Sequence, residues 1–461
     1  MPARKILLTP VIAIVGAVLL ATFGFLFWLK LGRPGVPSKI SQDNIILRLS
    51  GSNTIGAGLA PALAEQFLRQ QGATDVKTFP GDRDDEVRVQ GVLPGDRAPK
   101  AIEIHAHGSA TAFEDLADGQ ADIGMASRKI KTEEVGRLAS LGDMTSPACE
   151  HILGLDGIAI IVSRKNPVGV LSKDQIAQVF KGTIANWQQV GGWDAPVNLY
   201  ARDDKSGTYD TFRTLVLDNA PLAPSARRIE DSRKLSHSVA QDPNGIGFVG
   251  LADVQEARAV SVYESGATPL LPSPFTVATE DYALSRRLFL YTPANPRQEL
   301  TRRFVDFALS NTGQTIVAEI GFVGQNVAAV SAAGSTPLPA DYRRLTSGFD
   351  RLSLDFRFRA GSSQLDNKAV DDLSRVVTFL TDLHYSGNNL VLLGFDDSQE
   401  GTDNLSDHLS KDRADAVAQQ FEQQGVKAAT VVGFGSQLAV ASNDTPEGRQ
   451  KNRRVEIWLR K

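Results

Sequence analysis

Cysteine is almost missing from this chain of 461 residues. The single one, Cys149, excludes an intramolecular disulfide and a zinc site of cysteine type. Its neighbours Glu150 and His151 do not make it a nucleophile, and a buried structural thiol is the plainer reading. Net charge is small too. Against 53 acidic residues stand 49 basic ones, a formal charge of -4. Such a balance gives no bulk attraction for nucleic acid, so any anion must be held locally. Acidic residues are absent from the first apolar run, Ile6 to Leu31, which carries no charge before Lys30. Ser206 lacks a Gly-x-Ser-x-Gly setting and any assigned histidine base, which argues against a serine hydrolase. His105 and His107 share a strand face, but no third or fourth metal ligand suggests itself.

What is present is an ordinary globular composition, 42% hydrophobic and 22% charged. The length suggests roughly three domains of about 150 residues. The run 6–31 exceeds the approximately 20 residues that span a bilayer. It ends in Phe25-Leu26-Phe27-Trp28 instead of a small-x-small cleavage site, and Trp28 and Lys30 suit interfacial anchors. An uncleaved transmembrane helix is predicted, with the N-terminus inside.

From residue 42 to 328, strand patterns alternate with helical ones, which argues an α/β domain large enough for two lobes. Ile45 to Ser50 reads as a strand that turns through Gly51-Ser52-Asn53-Thr54-Ile55 into a helix. Ile102 to Ala106 does the same through Gly108-Ser109, and Ala121 to Ala126 ends in Ser127. Residues 72–104 include a predicted hairpin, and the apolar stretch 152–163 is interrupted at Asp156-Gly157, where the chain can cross between lobes. The most informative stretch is Arg202-Asp203-Asp204-Lys205-Ser206-Gly207-Thr208, between the strand pattern 197–200 and an apolar helical spacing. A helix N-terminus there offers free N–H groups to an anion. Arg202 adds a forked cation, and Asp204 is placed to orient it. Ser206 also fits an ordinary helix cap.

Together these motifs, with Lys181-Gly-Thr-Ile-Ala-Asn-Trp187, resemble the PstS family, the phosphate-binding proteins of ABC-type uptake systems. The resemblance implies a two-lobed, type II periplasmic-binding-protein fold with the anion in the cleft, no cofactor, no catalysis, and an ABC-type permease as partner. Carried over by position, Thr54 and Ile55, Ser109, Arg202, Ser206, Gly207 and Thr208 would cage phosphate, with Ser52 as an extra donor. Many members have Asp where this chain has Ser127. That carboxylate accepts the proton of hydrogen phosphate and repels sulfate, so Ser127 implies weaker rejection of sulfate.

Ser331 to Pro339 is small and polar, and residues 329–350 are assigned as a linker. Residues 351–461 follow a βαβαββ pattern. Gly394-Phe395-Asp396-Asp397, Leu409-Ser-Lys-Asp-Arg413-Ala and the run from Asn443 to Glu456 resemble the α+β OmpA-like peptidoglycan-binding domain. That family holds diaminopimelate with an Asp and an Arg, which fall on Asp397 and Arg413. It usually has His-Thr where this chain has Phe395-Asp396. A membrane helix before such a domain also resembles flagellar-stator subunits, which need an acidic residue in the span, and residues 6–29 contain none. The expectation is an inner-membrane protein with its bulk in the periplasm, capturing or sensing phosphate and attached to the cell wall. The alternatives are a scaffold with a vestigial or sulfate-like site, and a phosphatase using Ser206 or Cys149.

Overall fold

The computed structural model describes residues 41–83, 85–204, 206–331, 338–359, 362–383, 389–397 and 403–460. The predicted membrane segment 6–31 lies outside them. Among the described residues no helix is long and apolar enough to cross a membrane.

In chain order the first thirteen strands are β1 (Ile45–Gly51), β2 (Thr74–Pro80), β3 (Glu86–Val92), β4 (Lys100–His105), β5 (Ile123–Ala126), β6 (Glu150–Val162), β7 (Val170–Ser172), β8 (Asn198–Arg202), β9 (Arg227–Ile229), β10 (Gly245–Gly250), β11 (Arg258–Ala259), β12 (Ser261–Tyr263) and β13 (Ser285–Tyr291). The main sheet runs β2-β3-β4-β1-β5-β13-β6-β10-β8-β9, with β11 also on β6. The expected hairpin is the antiparallel β2–β3 pair. Helix Leu59–Gln70 forms because Leu59, Leu63 and Phe67 recur on one face. Phe67 meets Phe304 edge to face at 5.2 Å in the core of the first lobe.

Two lobes arise from one strand. β6 is 13 residues long and almost wholly buried, as a central strand covered on both faces must be. Up to Gly157 it pairs with β13, and from Ile158 onward with β10. The chain returns at Tyr282–Ser285, where the Ile158 N–H donates to the Leu284 carbonyl at 3.1 Å. The interruption at Asp156-Gly157 is therefore the crossing point.

The remaining strands are β14 (Ala329–Ser331), β15 (Phe349–Arg357), β16 (Leu390–Gly394), β17 (Thr430–Gly433) and β18 (Arg454–Arg460). They form a separate sheet in the order β14-β15-β18-β16-β17. Helices Asn367–Asp382 and Asp403–Gln423 complete the expected pattern, with a short helix Pro446–Asn452 before the last strand. The assigned linker 329–350 needs correction. β14 extends the sheet by pairing with β15, and helix Ala340–Thr346 seats Tyr342 on Trp458 and Phe434. The Tyr342 hydroxyl donates to Glu456 at 2.7 Å. Apolar and aromatic side chains at these positions gain more from burial than from water.

This last domain is joined to the lobes through buried charge. Asp281, beside the return crossing, receives Arg351 at 2.9 Å and Arg357 at 3.4 Å, with Arg454 at 3.9 Å. Arg287 of the first lobe pairs with Asp366 at 2.8 Å, and the Asn367 amide donates to Glu150 at 2.9 Å. On the second lobe the Ser442 N–H donates to Glu264 at 3.0 Å. One domain thus grips both lobes.

Removing one partner of a buried ion network strands the other, a loss of about 3–5 kcal/mol. Arg357→Met is expected to lose that much in denaturant unfolding, and an unchanged midpoint would contradict the interface. Burial opposes ionisation of Glu280, but Arg287 and Arg357 prevail and hold its carboxyl at about 2, against an ordinary 4.5. Its stabilisation is complete above pH 4.5 and is lost as pH falls toward 2. Glu280→Gln should flatten that acid limb in a pH series of unfolding midpoints.

Candidate functional site

β1, β4 and β5 are parallel neighbours, so their C-terminal ends lie side by side. Open α/β sheets bind ligands outside such ends. Gly51, at φ +136°, makes the turn out of β1, and a Cβ there would lie 2.0 Å from the Met125 carbonyl oxygen. The next N–H, of Ser52, donates to that carbonyl at 2.8 Å. Helix Asn53–Gly56 then starts without a side-chain cap, as does helix Ser109–Ala117. Their first N–H groups have no partner within the helix. Between them Ser109 and Ser127 are tied together: the Ser127 N–H donates to Ser109 Oγ at 3.0 Å, and the hydroxyls are 3.1 Å apart. Ser52 is 1% exposed and its hydroxyl has no hydrogen-bond partner among the described residues. A buried polar atom left unmatched costs about 1–3 kcal/mol, which an arriving acceptor recovers.

The second lobe faces this edge with helix Gly207–Leu215. Ser206 is its cap, accepting from the Tyr209 N–H at 3.4 Å, so the capping reading of Ser206 is correct. A Cβ on Gly207 would lie 2.6 Å from Thr54 Cα, so only glycine permits the lobes to approach this closely. The Thr54 hydroxyl donates to the Gly207 carbonyl at 3.2 Å. Thr208 follows, half-buried, and Ile55 is fully buried.

Arg202 ends β8, with one guanidinium nitrogen on the Ser232 hydroxyl and another 3.7 Å from Asp203. The orienting role expected of Asp204 is a correction: Asp204 pairs with Arg228. Arg228 comes from β9, which lies parallel beside β8, and its guanidinium stacks 4.2 Å over the Tyr209 ring.

Sequence reasoning misses Arg286 and, apart from its place in the crossing, Asp156. They are cross-strand partners at the hinge, with Arg286 Nε 3.4 Å from the Asp156 carboxylate. The Thr211 hydroxyl donates to the same carboxylate at 3.1 Å. Arg286 Nη2 donates to the Thr54 hydroxyl at 2.7 Å. Burial lowers the Arg286 pKa, opposed by Asp156 and Asp210. The available signal is charge inside apolar strands, which burial forces to find partners.

In the last domain Asp397 and Arg413 each have an ion-pair partner. Arg413 meets Asp396, while Asp397 takes Arg453 at 2.6 Å. All four are buried. Phe395 lies beneath Arg454, 4.0 Å from its guanidinium. Cys149 is buried, and burial raises its pKa, which fits a structural thiol. His107 sits 3.4 Å from Glu86, with His105 stacked beside it.

A family profile described as a PBP superfamily domain matches residues 38–312. The chain belongs to the PBP superfamily. Its binding-protein domain is followed by a match to the OmpA family over residues 357–453. Protein SphX of Synechococcus elongatus is 30% identical over 244 residues, covering 50% of this chain and 71% of the relative. The phosphate-binding protein PstS of Borreliella burgdorferi is 26% identical over 230 residues, covering 48% and 79%. A solved ABC-type phosphate transport receptor from Vibrio cholerae is 24% identical, covers 60% of this chain and 99% of its own, and superposes with a TM-score of 0.47.

Gly207→Ala places its methyl against the Thr54 backbone, which no rotamer can relieve. Small-angle scattering of that variant should show a larger radius of gyration than wild type, from lobes held apart. Equal radii would mean the close approach is not maintained in solution.

Proposed function

We propose that this protein captures inorganic phosphate between the lobes of its binding-protein domain and catalyses no reaction. The observation that carries this reading is the pair of uncapped helix N-termini beside the unmatched Ser52 hydroxyl, facing Gly207 across the cleft. Backbone N–H groups, the hydroxyls of Ser52, Thr54, Ser109, Ser127 and Thr208, and the Arg202 guanidinium form a donor-rich lining suited to an oxyanion. Relatives named as phosphate-binding proteins support the choice of anion. Ser127 brings no carboxylate to repel sulfate, so discrimination is weaker than a carboxylate would give. The apolar run 6–31 supports an inner-membrane anchor with the bulk of the chain in the periplasm, and the relatives named as phosphate-binding proteins support an ABC-type permease as partner.

Titration calorimetry of the full chain tests this. Wild type should bind phosphate, with sulfate within about a hundredfold, and Arg202→Ala should weaken phosphate roughly ten- to a hundredfold, as expected for a charged hydrogen bond. No phosphate heat overturns the reading. Sulfate weaker by several orders of magnitude overturns the role given to Ser127.

The C-terminal domain serves as a wall attachment. Asp397 and Arg413 suit the ammonium and carboxylate of diaminopimelate, once they exchange their present partners for it. Sacculi should retain the full chain and lose most of an Asp397→Asn variant. Equal retention of the two would remove Asp397 from the binding site.

A further inference from the structure

We infer that Arg286 is a positioning residue of the anion cleft, acting through the Thr54 hydroxyl and the Gly207 carbonyl. The inference rests on the phosphate reading. A threonine hydroxyl has one proton to donate and two lone pairs to accept with. Arg286 Nη2 donates to Thr54 Oγ1 at 2.7 Å, and a guanidinium has no acceptor to offer in return. The Thr54 proton must therefore point elsewhere, and its present acceptor is the Gly207 carbonyl at 3.2 Å. That is long for a bond from a hydroxyl, whose usual distance is about 2.7–2.8 Å. An acceptor-only anion oxygen offers the proton a better partner. Arg286 thus sets the Thr54 hydroxyl as an obligatory donor to the ligand.

The same nitrogen reaches across the cleft to the Gly207 carbonyl at 3.5 Å. Arg286 itself is held by Asp156, its cross-strand neighbour on β6 at the crossing point. The Thr211 hydroxyl, on the helix begun by Gly207, lies 3.1 Å from Asp156 and 2.9 Å from the Gly207 carbonyl, so its one proton is shared between these two acceptors. One buried guanidinium therefore joins the first lobe's donor, the second lobe's helix and the hinge strand. When the lobes part, Thr54 leaves the Gly207 carbonyl but keeps Arg286, which lies on the same lobe.

A double-mutant cycle on the full chain tests this, read by phosphate calorimetry. Arg286→Met is made together with Asp156→Asn, so that no buried carboxylate is stranded and the introduced amide oxygen can still accept from Thr211. The paired variant should bind phosphate roughly ten- to a hundredfold more weakly, as for the loss of a charge-assisted hydrogen bond. In a Thr54→Val background the same pair should change affinity by less than about twofold, within the error of additivity. Arg286→Lys keeps the charge without the fork, is the arm used if the paired variant does not fold, and should show the same loss and the same cycle. A merely structural Arg286 would give effects that multiply, and that result overturns the inference. So do variants that bind as tightly as wild type. A wild-type chain that binds neither phosphate nor sulfate overturns the phosphate reading and this inference with it.

Discussion

Burying Asp281 is possible only because three guanidiniums come to it, and none of them belongs to its own domain. Arg351, Arg357 and Arg454 all lie on the C-terminal sheet. An isolated carboxylate in that position would be driven neutral. The domains therefore form one body by electrostatic necessity. The contacts fall on both sides of the crossing point: Asp366 and Asn367 hold the first lobe, and Ser442 the second. Any change in the angle between the lobes must be accommodated by the C-terminal domain.

Within the cleft the same rule acts on a smaller scale. Helix N-termini at the ends of β1 and β4 present donors, and the second lobe closes over them only as far as the absent side chain of Gly207 allows. Arg286 lies at the meeting point, paired with Asp156 of the one strand both lobes share. Donors, hinge and closure are thus linked through a few polar contacts inside an otherwise apolar sheet.

Residues at strand ends are readable from order alone, because a strand followed by Gly, Ser or Thr and then a helical spacing can only turn where it does. Ser52, Thr54, Ser109 and Ser127 are found in this way. Partnerships between distant elements are not readable. Proximity in sequence assigns Asp204 to Arg202, two residues away, but β9 brings Arg228 to it from 24 residues on. Asp396 and Asp397 read as neighbours, yet each takes a different arginine. Small polar residues mark 329–350 as a linker, and Tyr342 shows where that fails: one buried ring makes a helix of the segment part of the fold.

The order of strands and helices, the two-lobed and OmpA-like domains, and the donor-bearing turns follow from the sequence, because periodicity, glycine and hydroxyl placement act over a few residues. Which charge meets which was decided by tertiary structure. Arg357 alternates with Phe356 and Phe358 as a solvent-facing residue would, and is buried against the Thr279 carbonyl and Asp281. Alternation tells which face of a strand a side chain takes. It does not tell whether water or another domain covers that face, because that depends on surfaces brought together from far apart in the chain.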